Sequence, residues 1–337
     1  MKMMFVGDVS LGEHYFSFGH GPRTNLEKKG IFQYVTPLLS SADFTIGNLE
    51  GPISDADSNS SDPESMVFRG RSSAAKHLKS AGFNYLCMAN NHSVQHGEKC
   101  FYESIESLAR HGISAVGLVN ESPVIIEKND IKIALITCSD ILDNTDEKQQ
   151  LYNTFDMDSL REDILKIKDE VNWVVLNIHW GLESKVKATD EQKSLAKQIF
   201  NVGVDVIVGH HPHIFYEVEK FENKLIAYSL GNFVFDLPWD QKLLDSGILE
   251  IEFSKTEIKA KVHQVNINKD HQPMIQTTPI EISNGVNSIY NHHRNIDLSQ
   301  LRKLLYFVLC FFKGNTSLKW IFIKSKVMNK FKGIINA

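Results

Sequence analysis

The chain has 337 residues, of which 42% are hydrophobic and 23% charged, with a formal net charge of −5. That apolar content excludes an intrinsically disordered protein, and the acidic balance gives no general basic footprint for nucleic acid. The charge is unevenly placed: residues 298–337 carry eight Lys or Arg and no acid, which leaves the first 297 residues at −13.

In chain order, "MKMMFVGD" holds one lysine and then a short apolar run ending at Gly7-Asp8. The run is too short for a secretory h-region and no small-residue cleavage site follows, so Lys2 to Val6 are expected to form the first strand. Residues 30–43 read as a helix despite Pro37, and residues 44–50 as a strand. Residues 72–82 form a helix that starts at serine caps and stops at Gly82. Strands are expected at 83–91, 131–140, 172–181 and 204–213, and helices at 97–112, 158–170 and 189–203. This alternation predicts an α/β protein with a sheet buried by helices. Beyond Phe215 the pattern changes to hairpins, with turns at Glu222-Asn223 and Lys255-Thr256. No run of about 18 apolar residues exists, so no ordinary transmembrane helix is expected. Cys87, Cys100, Cys138 and Cys310 show no C-x-x-C spacing and read as buried free thiols of a reducing compartment.

Chemistry-bearing residues gather at the strand ends. The five endings are Gly7-Asp8, Gly47-Asn48-Leu49-Glu50, Asn90-Asn91-His92, His179-Trp180-Gly181 and Gly209-His210-His211-Pro212-His213. Ligands of open α/β sheets bind at the carboxyl ends of strands. A single such ending is explained by turn chemistry, which favours Asn, Asp and Gly; five in order, with oxygen and imidazole donors, point to a site. In an extended segment residues i and i+2 point the same way, so His211 and His213 are expected to converge while His210 faces elsewhere, with Pro212 stiffening the pair. A polar surface turn is the alternative reading of that cluster.

The order of these motifs, followed by "YSLGNFVFD" at 228–236, resembles the CapA family of bacterial capsule-synthesis proteins associated with poly-γ-glutamate, a branch of the calcineurin-like metallophosphoesterases. The resemblance covers about residues 3–240 and implies a four-layer α/β/β/α sandwich with a two-metal centre at the strand ends. It implies that Asp8, Glu50, Asn91, His179, His211 and His213 bind metal, that His92 protonates a leaving group, and that Asn48 and His210 support the ligands. Two departures stand out. Ser10 occupies a position where the superfamily usually has histidine, and Gln95-His96-Gly97 replaces a frequent Asp-x-Gly. The implied cofactors are two divalent ions, Mn, Fe, Zn or Mg, which sharing a carboxylate would acidify water and clamp an anionic oxygen. Arg69, with Arg71 nearby, reads either as a guanidinium fork for phosphate or carboxylate or as a solvated loop residue. Asn232 is a candidate substrate contact, with a glycine bulge in a buried strand as the alternative.

Two functions follow. One is a metal-dependent hydrolase of phosphoesters, with amides as second candidate, acting on an anionic polymer or phosphoester substrate in capsule or envelope-polymer biosynthesis. The other is a non-catalytic subunit of a polymer-assembly complex with a structural or vestigial metal site. The expected organisation is a body over 1–297 and a basic amphipathic helical tail over 298–337. The nine apolar residues Leu304 to Phe312, about 14 Å as a helix, are too short to cross a bilayer core of about 30 Å. Aromatics beside Lys and Arg with no acid fit either a segment lying in an anionic membrane interface or helices docked on the acidic body. The first reading predicts a cytoplasmic protein held peripherally at the inner membrane face, near envelope-polymer biosynthesis enzymes and without nucleic-acid partners.

Overall fold

A computed structural model of the chain describes residues 1–56, 63–121, 123–143, 150–183, 185–290 and 299–335. Its strands are, in order, β1 (Lys2–Val9), β2 (Phe44–Leu49), β3 (Tyr85–Cys87), β4 (Ser114–Val116), β5 (Val124–Lys128), β6 (Ile131–Ser139), β7 (Trp173–His179) and β8 (Val206–His210). They continue with β9 (Val218–Phe221), β10 (Lys224–Ala227), β11 (Asn232–Val234), β12 (Asp245–Phe253), β13 (Ile258–Ile267), β14 (Pro273–Ile275), β15 (Ile280–Glu281) and β16 (Gly285–Asn287). The helices are α1 (Pro22–Lys29), α2 (Thr36–Leu39), α3 (Ala74–Ala81), α4 (Glu98–Arg110), α5 (Met157–Ile167), α6 (Asp190–Asn201), α7 (Gln241–Leu244), α8 (Ser299–Lys313) and α9 (Thr316–Ile335).

The strands form two sheets. The first runs β14-β13-β12-β1-β2-β3-β4, and the second runs β16-β9-β10-β8-β7-β6-β5. The central strands β1, β2, β3 and β4 are parallel, as are β6, β7 and β8. The period-2 alternation of side chains sorts three apolar layers. Met3, Phe5 and Ile46 from the first sheet meet Ile133, Leu135, Val206 and Val208 from the second between the sheets. The alternate residues Met4 and Val6 face the other way, against Leu39, Leu78, Phe101 and Leu108 of the helices on the first sheet. Ala134 and Ile207 likewise face Leu160, Ile164 and Ile199 of α5 and α6. This is the four-layer α/β/β/α sandwich.

The two expected hairpin turns lie between β9 and β10 and between β12 and β13. The helix expected over 30–43 is instead a series of turns leading into the four residues of α2. Pro37 sits at the start of α2, the one place in a helix where it costs little; deeper in, it would remove a hydrogen bond and clash with the preceding turn. The sequence reading also passed over α1, which carries Pro22 in its first turn and ends at Gly30 with φ 60°. All four cysteines are free and buried.

The tail docks on the body. Phe18, itself buried, takes edge contacts from Phe307, Phe311 and Phe322 with ring centres 5.4–5.9 Å apart. The turn between α8 and α9 is pinned by Asn315 N donating to Phe18 O at 2.8 Å. The outward face of α8 remains apolar and exposed at Leu301, Leu304, Leu305, Leu309 and Phe312. Among the described residues no helix is long and apolar enough to cross a membrane.

Candidate metal centre at the strand ends

Both sheets deliver their parallel strand ends to one point. Asp8 on β1 lies in register with Asn48 on β2, and His179 on β7 with His210 on β8. Close backbone approach makes this possible: a Cβ on Gly7 would stand 2.0 Å from Gly231 O, and Asp8 N donates to that same carbonyl at 2.9 Å.

Asp8 is fully buried and accepts on all sides. Asn48 Nδ2 donates to Oδ1 at 2.9 Å, His210 Nδ1 stands 3.0 Å from Oδ1, and His211 N donates to Oδ2 at 3.3 Å. Asn48 is held in turn by Asn90 Nδ2 at 3.2 Å, and the far side of the His210 ring meets Asn177 Oδ1 at 3.0 Å. Glu50, His179 and Asp8 offer ligand atoms within 4.8 Å of one another. Asn91 Oδ1 lies 2.9 Å from His179 Nε2, and the His179 and His211 ring centres are 4.8 Å apart. His213 reaches towards both carboxylates, with Nδ1 3.5 Å from Asp8 Oδ2 and Nε2 3.6 Å from Glu50 Oε1.

The structure thus brings Asp8, Glu50, Asn91, His179, His211 and His213 together, with Asn48 and His210 behind Asp8. It corrects the orientation of His210, which points at Asp8 rather than elsewhere. The segment is not extended after β8: His211 has φ 97° and His213 φ 62°, so the rule that alternate residues share a face fails there. Two further corrections concern substrate contacts. Arg69 is buried and its guanidinium donates to the Ser54 and Ala56 carbonyls, so it holds a loop and is neither a free fork nor a solvated residue. Asn232 spends both ends of its amide, accepting near His213 Nδ1 at 2.9 Å and donating to Leu243 O at 3.1 Å; it positions His213.

His92 flanks the centre, its Nε2 3.8 Å from Glu50 Oε1. Its Nδ1 is 2.6 Å from Gln95 Oε1, a contact that places the ring proton on Nδ1 and leaves the Nε2 lone pair facing the centre. Phe68 stacks on the ring at 3.8 Å with planes 10° apart. Phe68 was invisible to sequence reasoning: it acts from a loop with φ 55°, where no periodicity marks an inward side chain.

Burial dominates the electrostatics. It pushes the Glu50 carboxyl well above its ordinary value, with Asp8 adding to the shift against His213. Burial also acts to raise Asp8, but hydrogen bonds from His210 and His213 overcome it and hold Asp8 well below the carboxylate range. Burial lowers His92 and His211 to about 4 and His179 well below its usual value, so these rings are neutral and have lone pairs to give. His213 is the exception: burial acts to lower it, yet Glu50 and Asp8 raise it to about 9.

A divalent cation fits this donor set. Both Glu50 carboxylate oxygens are buried with no hydrogen-bond partner, as is His211 Nδ1. A buried carboxylate is ordinarily paired or bound to a metal. Asp8, Glu50, Asn91, His179, His211 and His213 are the residues that would hold it; mixed oxygen and imidazole donors suit Mn, Fe, Zn or Mg.

Two sheets packed face to face, with helices on both outer faces, thus bring this donor set to their strand ends. Residues 2–237 match the family described as bacterial capsule synthesis protein PGA_cap, and the chain belongs to that family. The capsule biosynthesis protein CapA of Bacillus anthracis is 30% identical over 264 residues, covering 74% of this chain and 63% of that protein. The chain therefore spans less than two thirds of that relative's length. The PGA biosynthesis protein CapA of Bacillus subtilis is 29% identical over 269 residues, covering 76% of this chain and 68% of that protein. Among solved structures, the 5'-nucleotidase of Candida albicans aligns with a TM-score of 0.44 and 12% identity, covering 80% of this chain and 52% of that chain.

Proposed function

We propose that the chain is a metal-dependent hydrolase of phosphoesters, with amides the second candidate, acting in capsule or envelope-polymer biosynthesis. The observation that carries this reading is Glu50: a buried carboxylate with no hydrogen bond to either oxygen, among the imidazoles of His92 and His213, the first of which no ligand set requires. A divalent ion held there supplies polarisation of an anionic oxygen and a lowered pKa for water. The chain's own part is to fix the donors through Asn48, His210 and Asn232, to shield them under Phe68, and to move a proton at His92 Nε2. In its resting state that nitrogen accepts; an arriving anion raises its basicity and readies it to donate. A panel of phosphomonoesters and phosphodiesters with added Mn tests the reading, and absence of turnover on every substrate with metal bound favours the non-catalytic assembly role, to which Ser10 also points.

His92→Ala is expected to lower turnover about 10²–10⁴-fold, the usual contribution of a positioned acid or base, with metal content nearly intact. Equal loss of metal would make His92 a ligand. Gln95 faces His92 as a neutral carbonyl, so Gln95→Asp should shift the His92-dependent limb of the pH–rate profile upward, because a carboxylate favours the imidazolium.

The exposed stripe of α8 supports a further part of this proposal, peripheral attachment to the inner face of an anionic membrane near the polymer-making enzymes. The inner face of α8 is already spent on the body, Phe307 and Phe311 on Phe18 and Tyr306 on Asp236, leaving Leu305, Leu309 and Phe312 among lysines for the bilayer interface. Leu305→Lys with Leu309→Lys and Phe312→Lys should abolish co-sedimentation with phosphatidylserine vesicles at low salt. Wild-type protein that stays in the supernatant would end this reading.

A further inference from the structure

Between α1, the 66–73 segment and the turn joining α8 to α9 lies a cleft of about 1140 Å³. One loop separates it from the metal centre: Phe68 turns to His92, while Met66 and Arg71 line the cleft. Its basic side chains are His20, Arg23, Lys28, Arg71 and Lys313. Two carboxylates also line it, and both are engaged. Glu13 Oε2 accepts from Thr24 N at 3.0 Å, while Glu27 accepts from Ser73 Oγ at 3.0 Å and faces His77 Nε2 at 3.4 Å. Among the described residues, no carboxylate forms an ion pair with Arg23, Lys28, Arg71 or Lys313.

Arg23 is the unusual member. Its Nη1 reaches Arg69 O at 3.5 Å, but its Nε is buried without a hydrogen-bond partner, and so is His20 Nε2. Burial, and after it the Arg71 guanidinium, push Arg23 below its ordinary value. Glu13 and Asp55 pull the other way, but neither forms an ion pair with Arg23, and the exposed Arg71 adds a second guanidinium to the same cleft. A guanidinium fork finds its matching acceptor in a carboxylate or phosphate. One small anion would satisfy one fork. Here the cations sit on three separate elements around an open cleft, an arrangement that fits several anionic groups spaced along one chain.

We propose that this cleft is a second binding site, for a polycarboxylate chain whose successive acids engage Arg23, Arg71 and Lys313 beside the metal centre. The choice of a polymer rests on the proposed role in envelope-polymer metabolism; the cationic site itself does not. The side supplied by Lys313 to Ile321 lies beyond the matched residues 2–237, so the cleft is completed by the tail.

The test uses the full chain and a fluorescein-labelled glutamate decamer, with an uncharged dextran oligomer and inorganic phosphate as competitors. Wild type should bind the decamer, and binding should weaken as salt screens the charges. Arg23→Gln with Arg71→Gln should weaken it about tenfold or more, since charge-assisted bonds are the strong ones. His211→Ala with His213→Ala should bind as wild type. Lys28→Gln with Lys313→Gln, both at exposed positions, should weaken binding too and serves if the arginine variant fails to fold. Binding lost in the histidine variant and kept in both cleft variants would place the chain at the metal centre and overturn the cleft while leaving the hydrolase reading intact. Competition by dextran, or by phosphate at equal concentration of anionic groups, would also overturn it.

Discussion

Glu50→Gln is expected to abolish stabilisation by metal while leaving the metal-free protein at least as stable as wild type. In wild type the carboxylate is fully buried with no hydrogen bond to either oxygen, an arrangement that costs free energy until a cation arrives. An ion that binds only the folded state stabilises it by about 2.7 kcal/mol at 100 times its Kd, so thermal unfolding with and without Mn should separate clearly in wild type and coincide in the variant. The sign with pH follows from the raised Glu50 value. Between the ordinary carboxylate range and that value the folded chain binds more protons than the unfolded one, so metal-free stability falls as pH rises; Gln removes that slope. His211→Ala with His213→Ala should lose metal in elemental analysis. A Glu50→Gln protein that gains as much from Mn as wild type, or a histidine variant with full occupancy, would refute the centre.

Asp236 carries the second large effect, on stability. Its Oδ2 accepts from His14 N at 2.8 Å and Ser17 Oγ at 2.5 Å, and its Oδ1 from His271 Nε2 at 3.2 Å and the Tyr306 hydroxyl at 2.9 Å. One buried carboxylate therefore ties the loop before α1, the strand ends and the tail. Asp236→Asn turns an amide donor towards groups that themselves donate, and should cost about 3 kcal/mol at neutral pH in urea unfolding. Trp239, which carries Lys303 at 4.8 Å from its ring centre and packs near Tyr306, reports the loss by fluorescence. Burial acts to raise Asp236, but the His271 hydrogen bond and its neighbours bring it to about 2. A depressed carboxyl stabilises above its unfolded value and loses that contribution as pH falls through the folded one, so the difference between wild type and variant should shrink between pH 4 and pH 2. A cost below about 0.5 kcal/mol, the range of ordinary surface changes, would show that the hub is dispensable.

The α/β alternation and the five strand endings were readable because buried parallel strands are apolar runs with polar residues where they stop. The gathering of Asp8, Glu50, Asn91 and His179 at one point was readable for the same reason: each lies at or just beyond the end of such a run. What failed did so where backbone departs from regular geometry. His210 was turned away from the site by a rule for extended chain, whereas His211 and His213 adopt positive φ. Phe68 and Gln95, which set the surroundings of His92, lie on loops whose positions only the folded chain defines. Arg69 looked free because nothing in "VFRGR" tells that its guanidinium is spent on two carbonyls. The short strands β4 and β5 lack the length that made β6 and β7 plain. The tail was ambiguous because one helix serves both purposes, with Phe307 and Phe311 against Phe18 and Leu305 and Leu309 outward.

The division of ligands between the sheets has a mechanical consequence. Asp8 and Glu50 arrive on or beside β1 and β2, whereas His179 and His211 arrive on or beside β7 and β8. Away from the centre the two sheets meet through apolar side chains, Phe5, Trp173 and Phe253 among them, and through single links such as Trp173 Nε1 donating to Ser254 O at 2.7 Å. A cation held from both sides would add one further link, at the strand ends. Its arrival would crosslink the two layers at their strand ends, and its departure would remove that crosslink.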